Sequence, residues 1–127
     1  MPYTRAEDST VKTWLGDELR YQRYVLNLNR KEMAKACDMP YDTYCNIEGK
    51  EQSEFGTITV IKLIDGITDK IIENPIEYKK RDIDNKLLKN VSDFNKEFWD
   101  EDINLKETIR SIVMDRIQSD YYEKIRD

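Results

Sequence analysis

Apolar residues in this chain recur at intervals of three and four with few interruptions, and that periodicity restricts it to helices more than any other feature does. In an α-helix, residues i, i+3, i+4 and i+7 fall on one face. Leu15, Leu19 and Leu26 share such a face in a helix that opens near Thr13. Only 4 glycines and 3 prolines occur in 127 residues, which argues against arrays of β-turns and against long loops. The spacing predicts an all-α protein.

The polar residues between the stripes read as helix ends. Asn27 suits a left-handed stop after the first helix, because asparagine tolerates positive φ. Asn29, with Glu32 three residues on, has the pattern of a capping box opening a second helix to about Cys37. That helix would bury Met33, Ala34 and Cys37. Asp38-Met39-Pro40 reads as a tight turn, followed by a short third helix over about 41–47 with Tyr44 and Ile47 inward, and Gly49 releases the chain. A fourth helix is expected over about 57–66, with Ile58, Ile61 and Ile64 at spacing three, and a short fifth over 67–73.

Asn74-Pro75 marks a break, since proline is tolerated at the first helical position after a capping asparagine. Beyond it, Ile83, Leu87, Leu88, Val91, Phe94, Phe98 and Trp99 form one amphipathic stripe, and Asp100-Glu101-Asp102 ends it. Asn104 with Glu107 resembles another cap. Ile109, Ile112, Val113, Ile117, Tyr121 and Ile125 form a second stripe. The expected organisation is a polar leader over 1–12, a helical unit over 13–73, and a helical oligomerisation or interaction region over 74–127.

Several functions are disfavoured. No apolar run reaches membrane-spanning length and the first residues lack the apolar stretch of a signal peptide, so a cytoplasmic protein away from membranes is expected. Cys37 and Cys45 stand in a chain without histidine; zinc needs more ligands, so neither metal nor cofactor is expected, and both cysteines read as small, buried or half-buried residues. No glycine-rich phosphate loop is present and neither cysteine has a base nearby in sequence, so the chain is not expected to be an enzyme. The acidic run at 100–102 lacks the spaced oxygens and glycine of a calcium loop and reads as a solvated linker.

Residues Leu15 to Lys50, LGDELRYQRYVLNLNRKEMAKACDMPYDTYCNIEGK, carry a more specific pattern. Leu15, Gly16, Leu19, Arg20 and Arg23 match the first helix of the Cro/CI-type helix-turn-helix family, also called the XRE family. Ala34 stands where that family places a small residue at a helix crossing, and Glu48 where it has a glutamate. The segment therefore resembles that family, closely over these residues and loosely to about Glu73. The resemblance implies a lambda-repressor-like bundle of four to five helices, here followed by a C-terminal pair of amphipathic helices. It also implies an Arg23–Glu48 salt bridge that clasps the unit. Asn29 and Arg30 would fall at the phosphate-contacting start of the second helix, Tyr41, Asp42, Thr43 and Asn46 on the exposed face of the recognition helix, and Lys50 just after it. Departures are Asp38 where glycine is usual, Pro40 where serine or threonine is common, a residue missing between Glu48 and Gly49, and a carboxylate, Asp42, at a base-reading position.

What the resemblance implies is sequence-specific binding to double-stranded DNA by a regulator, a repressor from a bacterium, phage or other mobile element. One such unit offers few base contacts, so a homodimer spanning two half-sites is expected. Phe94, Phe98, Trp99, Ile109, Val113, Ile117 and Tyr121 are the interface candidates, aromatic anchors being favoured there; the alternative is that these helices fold back to complete a monomeric core. Net charge opposes a DNA reader: it is −5 overall, with 10 basic and 13 acidic residues up to Glu73 and 11 and 13 beyond it. A DNA reader needs a local basic face rather than a basic total. The competing reading is a protein-interaction module on the same scaffold, such as an antirepressor or a phage-encoded inhibitor of a host nuclease that also controls its own promoter.

Overall fold

The computed structural model describes residues 14–49, 56–91 and 105–126, with side chains for 15–49, 56–91 and 105–118. Among these residues there are six helices and no strand: α1 (Trp14–Leu26), α2 (Arg30–Ala36), α3 (Tyr41–Gly49), α4 (Thr57–Glu73), α5 (Pro75–Arg81) and α6 (Leu105–Arg126). No described helix is long and apolar enough to cross a membrane.

The helix ends follow from local chemistry. Asn27 and Asp38 take positive φ, 58° and 53°, conformations that asparagine and aspartate reach at smaller cost than most residues. Each closes a helix in the same way. Leu28 donates to the Arg23 carbonyl and Asn27 to that of Tyr24; Met39 donates to Ala34 and Asp38 to Lys35. These paired bonds satisfy carbonyls that a helix end leaves open. At the start of α2, Asn29 Oδ1 accepts from the Glu32 amide at 2.8 Å and Glu32 Oε1 accepts from the Asn29 amide at 3.0 Å, the reciprocal capping expected. Asn74 ends α4 and caps α5, accepting from the Glu77 amide at 3.2 Å, with Pro75 at the first helical position.

Three expectations are corrected. The segments 57–66 and 67–73 form one helix, α4, because Gly66 lies in its buried face rather than at an end. The face that α4 buries is Val60, Leu63, Ile64, Ile67 and Ile71, whereas Ile58 is 72% exposed and Ile61 lies at the surface; spacing three alone drifts around a helix of 3.6 residues per turn. The amphipathic stripe beginning at Ile83 does not open a helix: 82–91 is a succession of turns, with Ile83 exposed and Leu88 and Val91 buried. Asp82 holds those turns together. Its carboxylate accepts from the Leu87 amide at 2.8 Å and the Asn85 amide at 3.2 Å, and from the Tyr21 hydroxyl.

One core joins both sides of the Asn74 break. It includes Leu15, Leu19 and Val25 of α1, Met33 of α2, Tyr44 and Ile47 of α3, the buried face of α4, Tyr78 of α5, and Ile109, Val113 and Ile117 of α6. Helix α6 packs chiefly along α4 and secondarily on α1. Of the interface candidates, Ile109, Val113 and Ile117 are thus corrected to core positions, at most 2% exposed; spaced by four, they turn to α4, the nearest apolar surface. Phe94, Phe98, Trp99 and the side chain of Tyr121 lie outside the described residues, as do Asn104 and the leader 1–12.

A buried polar network stitches α1 to the C-terminal elements. Glu18 is 1% exposed and receives Gln22 at 3.0 Å, Asn85 at 2.8 Å and Arg116 at 3.0 Å, while the Tyr78 hydroxyl donates to Gln22 at 2.6 Å. A carboxylate buried this deeply is tolerated only with such partners.

Gly66 marks where α2 meets α4. A Cβ there would lie 2.6 Å from Cys37 Sγ, 2.8 Å from the Ala36 carbonyl oxygen and 2.8 Å from Cys37 Cα. Alanine in a helix interior is ordinarily better than glycine by about 1 kcal/mol, but two of these neighbours are backbone atoms that cannot rotate away. Overpacking typically costs about 1–3 kcal/mol, so Gly66→Ala is expected to lose up to about 2 kcal/mol net in urea unfolding. Adding Cys37→Ala should not restore stability, since both backbone contacts remain; full rescue would place the strain in the thiol alone.

Candidate nucleic-acid interface

Helices α2 and α3 meet across the turn 37–40, and what they present outward depends on what they anchor inward. Tyr44, Ile47 and Glu48 are buried on one side of α3. The same helix exposes Tyr41, Asp42, Thr43 and Asn46, with Tyr41 45% exposed. A helix buried along one face and polar along the other is the pattern of a surface helix, and a single helix has the width that a major groove admits.

The pin is ionic as well as apolar. Arg23 Nη2 meets Glu48 Oε1 at 2.6 Å and Arg23 Nε meets Oε2 at 2.8 Å, a two-point contact. Arg30 Nε adds a third at 3.2 Å, from the first residue of α2. The Glu48 side chain is fully covered while that of Arg23 is 20% exposed. Burial works to raise the Glu48 pKa, yet hydrogen bonds and charge, chiefly from Arg23, outweigh it and hold the carboxyl below its ordinary value. One buried carboxylate thus ties α1, α2 and α3 together, and planar guanidinium is the cation suited to it. Cys37, buried nearby in sequence at the end of α2, has its thiol pushed up to about 12 by burial, which leaves it unreactive. Among the described residues no group of histidines, cysteines and carboxylates could hold a metal.

All but one of the residues expected to meet DNA fall among the described residues. Tyr41, Asp42, Thr43 and Asn46 share the exposed part of α3. Asn29 is exposed, but its side-chain oxygen is engaged in capping, and Glu32 brings a carboxylate to the start of α2. Arg30 is 44% exposed and pre-positioned by Glu48. Lys50 lies outside the described residues.

Sequence reading passed over two lysines. Lys31 and Lys35 are exposed one turn apart on α2 and line a concavity of about 430 Å³ with Ala34, Asp38, Met39, Pro40 and Tyr41. Their i, i+4 spacing was the available signal. Lys62 of α4 approaches the same turn, donating to the Asp38 carbonyl at 3.1 Å. Over α2, α3 and the turn between them the exposed charges are Arg30, Lys31 and Lys35 against Glu32, Asp38 and Asp42, a balanced face rather than a basic one.

No protein-family model matches this chain, and it matches no curated protein and no solved structure.

Proposed function

We propose that the chain reads double-stranded DNA through α3 and acts as a dimeric transcriptional regulator, a repressor of the Cro/CI kind. The observation that carries this reading is the two-sided character of α3: Tyr44, Ile47 and Glu48 locked inward, and Tyr41, Asp42, Thr43 and Asn46 exposed. An asparagine amide can pair with adenine N6 and N7, a carboxylate can accept from cytosine N4, and an apolar ring can rest on a thymine methyl. Arg30, Lys31 and Lys35 supply charge for the flanking phosphates. Dimerisation enters because a single unit of this size makes few base contacts.

Selection from random duplexes tests it. The expected product is a palindrome with half-sites about one helical turn apart, bound less tightly as salt rises. Asn46→Ala should relax preference at one position by about 1–3 kcal/mol, whereas Lys35→Ala should weaken all sequences alike. Failure to retain any duplex at low salt would overturn the proposal. That outcome would turn attention to the second reading, a protein-docking module, which the exposed Glu32 and Asp42 on this face favour.

A further inference from the structure

Unlike the balanced face of α2 and α3, one surface gathers positive charge in this acidic chain. Where α1 ends and α2 begins, a concavity of about 610 Å³ is lined by Arg20, Arg23 and Tyr24 of α1, Asn27, Leu28 and Asn29 of the connection, Glu32 of α2 and Arg81 of α5. Three arginines thus converge from positions up to 61 residues apart.

Two of the three are held rigidly. Arg81 donates to the Val25 carbonyl at 2.7 Å and the Tyr24 carbonyl at 2.8 Å, and its guanidinium lies 5.6 Å from the centre of the Tyr24 ring. It thereby places an intact positive charge at the C-terminal end of α1. Arg23 is fixed by Glu48 and also donates to the Leu28 carbonyl at 3.3 Å. Arg20, half-buried one turn before Tyr24, makes no hydrogen bond or ion pair among the described residues. Glu32 on the rim, and Glu48 behind Arg23, offset only part of this charge. Guanidinium groups set in place beforehand lose little freedom when they pair with a planar or tetrahedral oxyanion.

We propose that this concavity is a phosphate site and that its phosphate is a backbone phosphodiester of the DNA whose groove α3 enters. The second clause rests on the function proposed above. Arg23 ties the concavity to the placement of α3, since it lines the concavity and holds the inward side of α3 through Glu48. Arg81, from beyond the Asn74 break, then joins the DNA contact, and Arg20 supplies a donor not engaged elsewhere among the described residues.

The whole 127-residue chain serves for the test, with Arg20→Gln as the main variant because the Arg20 side chain makes no hydrogen bond or ion pair among the described residues. On a selected duplex, Arg20→Gln should reduce the slope of log affinity against log salt by about 0.9, the loss of one phosphate contact, and leave base preference unchanged. Lys89→Gln, an exposed lysine outside the concavity, should keep the wild-type slope. Duplex binding with an unaltered slope in Arg20→Gln overturns the site while leaving the DNA reading intact. If no duplex binds, the DNA reading fails and the source is decided by titrating inorganic phosphate while following arginine Nε–Hε resonances. Saturable shifts at Arg20 and Arg81 in the wild type, with the Arg81 shift lost in Arg20→Gln, would support a phosphate site fed by a small phosphate compound. Silent resonances would overturn the site itself.

Discussion

Replacing Arg23 with methionine is expected to destabilise the protein by about 3–4 kcal/mol, seen as a fall in melting temperature of roughly 11–15 °C. The variant keeps much of the packing of the arginine stem but removes two of the three donors that meet the fully covered Glu48 carboxylate. Arg30 remains, at 3.2 Å and 44% exposed, which keeps the loss toward the lower part of the range for breaking a buried pair. Replacing both Arg23 and Glu48 by apolar residues should cost less than Arg23→Met alone, because no stranded charge is left. A double variant as unstable as the sum of the singles would show the two side chains to be uncoupled.

The same pair sets a pH dependence of definite sign. Its carboxyl titrates lower in the folded protein than in the unfolded chain. The stabilisation is therefore complete above the ordinary carboxylate pKa of about 4.3 and disappears as pH falls through the depressed folded value. Without Arg23, burial acts on Glu48 with less opposition and its folded pKa rises. The stability gap between wild type and Arg23→Met should accordingly be widest near neutrality and narrow on acidification, as Glu48 protonates first in the variant and only at lower pH in wild type, which urea unfolding at several pH values would measure. A gap of constant size would remove Glu48 as the titrating group.

Ile109→Ala is the second large effect, about 3 kcal/mol within the 2–5 expected for a buried isoleucine cut to alanine. Ile109 is wholly buried in the interface of α6 with the rest of the chain. The loss should appear as a single cooperative transition at lower denaturant, with the 14–73 and 105–118 elements unfolding together. Surface ion pairs beside it, Arg110–Asp65 at 2.6 Å and Lys106–Asp69 at 2.9 Å, are partly exposed and contribute little by comparison. Two separate transitions, with α1–α4 unperturbed, would mean that α6 is an appendage. Sedimentation should show the oligomeric state unchanged by the substitution, since Ile109 faces inward.

Much of the architecture was legible because it depends on contacts within a few residues. The Asn29–Glu32 cap, the left-handed Asn27 and Asp38, and Pro75 at the start of α5 all follow from neighbours in sequence. The inward set Met33, Ala34, Cys37, Tyr44 and Ile47 followed from periodicity. Misreadings arose where local signals were ambiguous. Gly66 reads as a stop, yet it is there to let α4 approach the Cys37 backbone. The 83–91 stripe has helical spacing, yet the Asp82 carboxylate captures the Asn85 and Leu87 amides and bends the chain into turns.

Charge is where sequence and fold diverge most. Counting residues describes an acidic chain without a basic half. Tertiary packing buries Glu18, Glu48 and Asp82 against their partners and carries Arg81 across to Arg20 and Arg23. A helix and its cap are decided by bonds spanning three or four residues, so their residues announce them in order along the chain. A charged surface, or a core shared by α4 and α6, is a sum over residues that only folding makes neighbours. The helical class, most helix ends and the inward residues of α2 and α3 were therefore present in the amino-acid order. The single core, the inward fate of Ile109, Val113 and Ile117, and the arginine concavity came into being only when the helices packed.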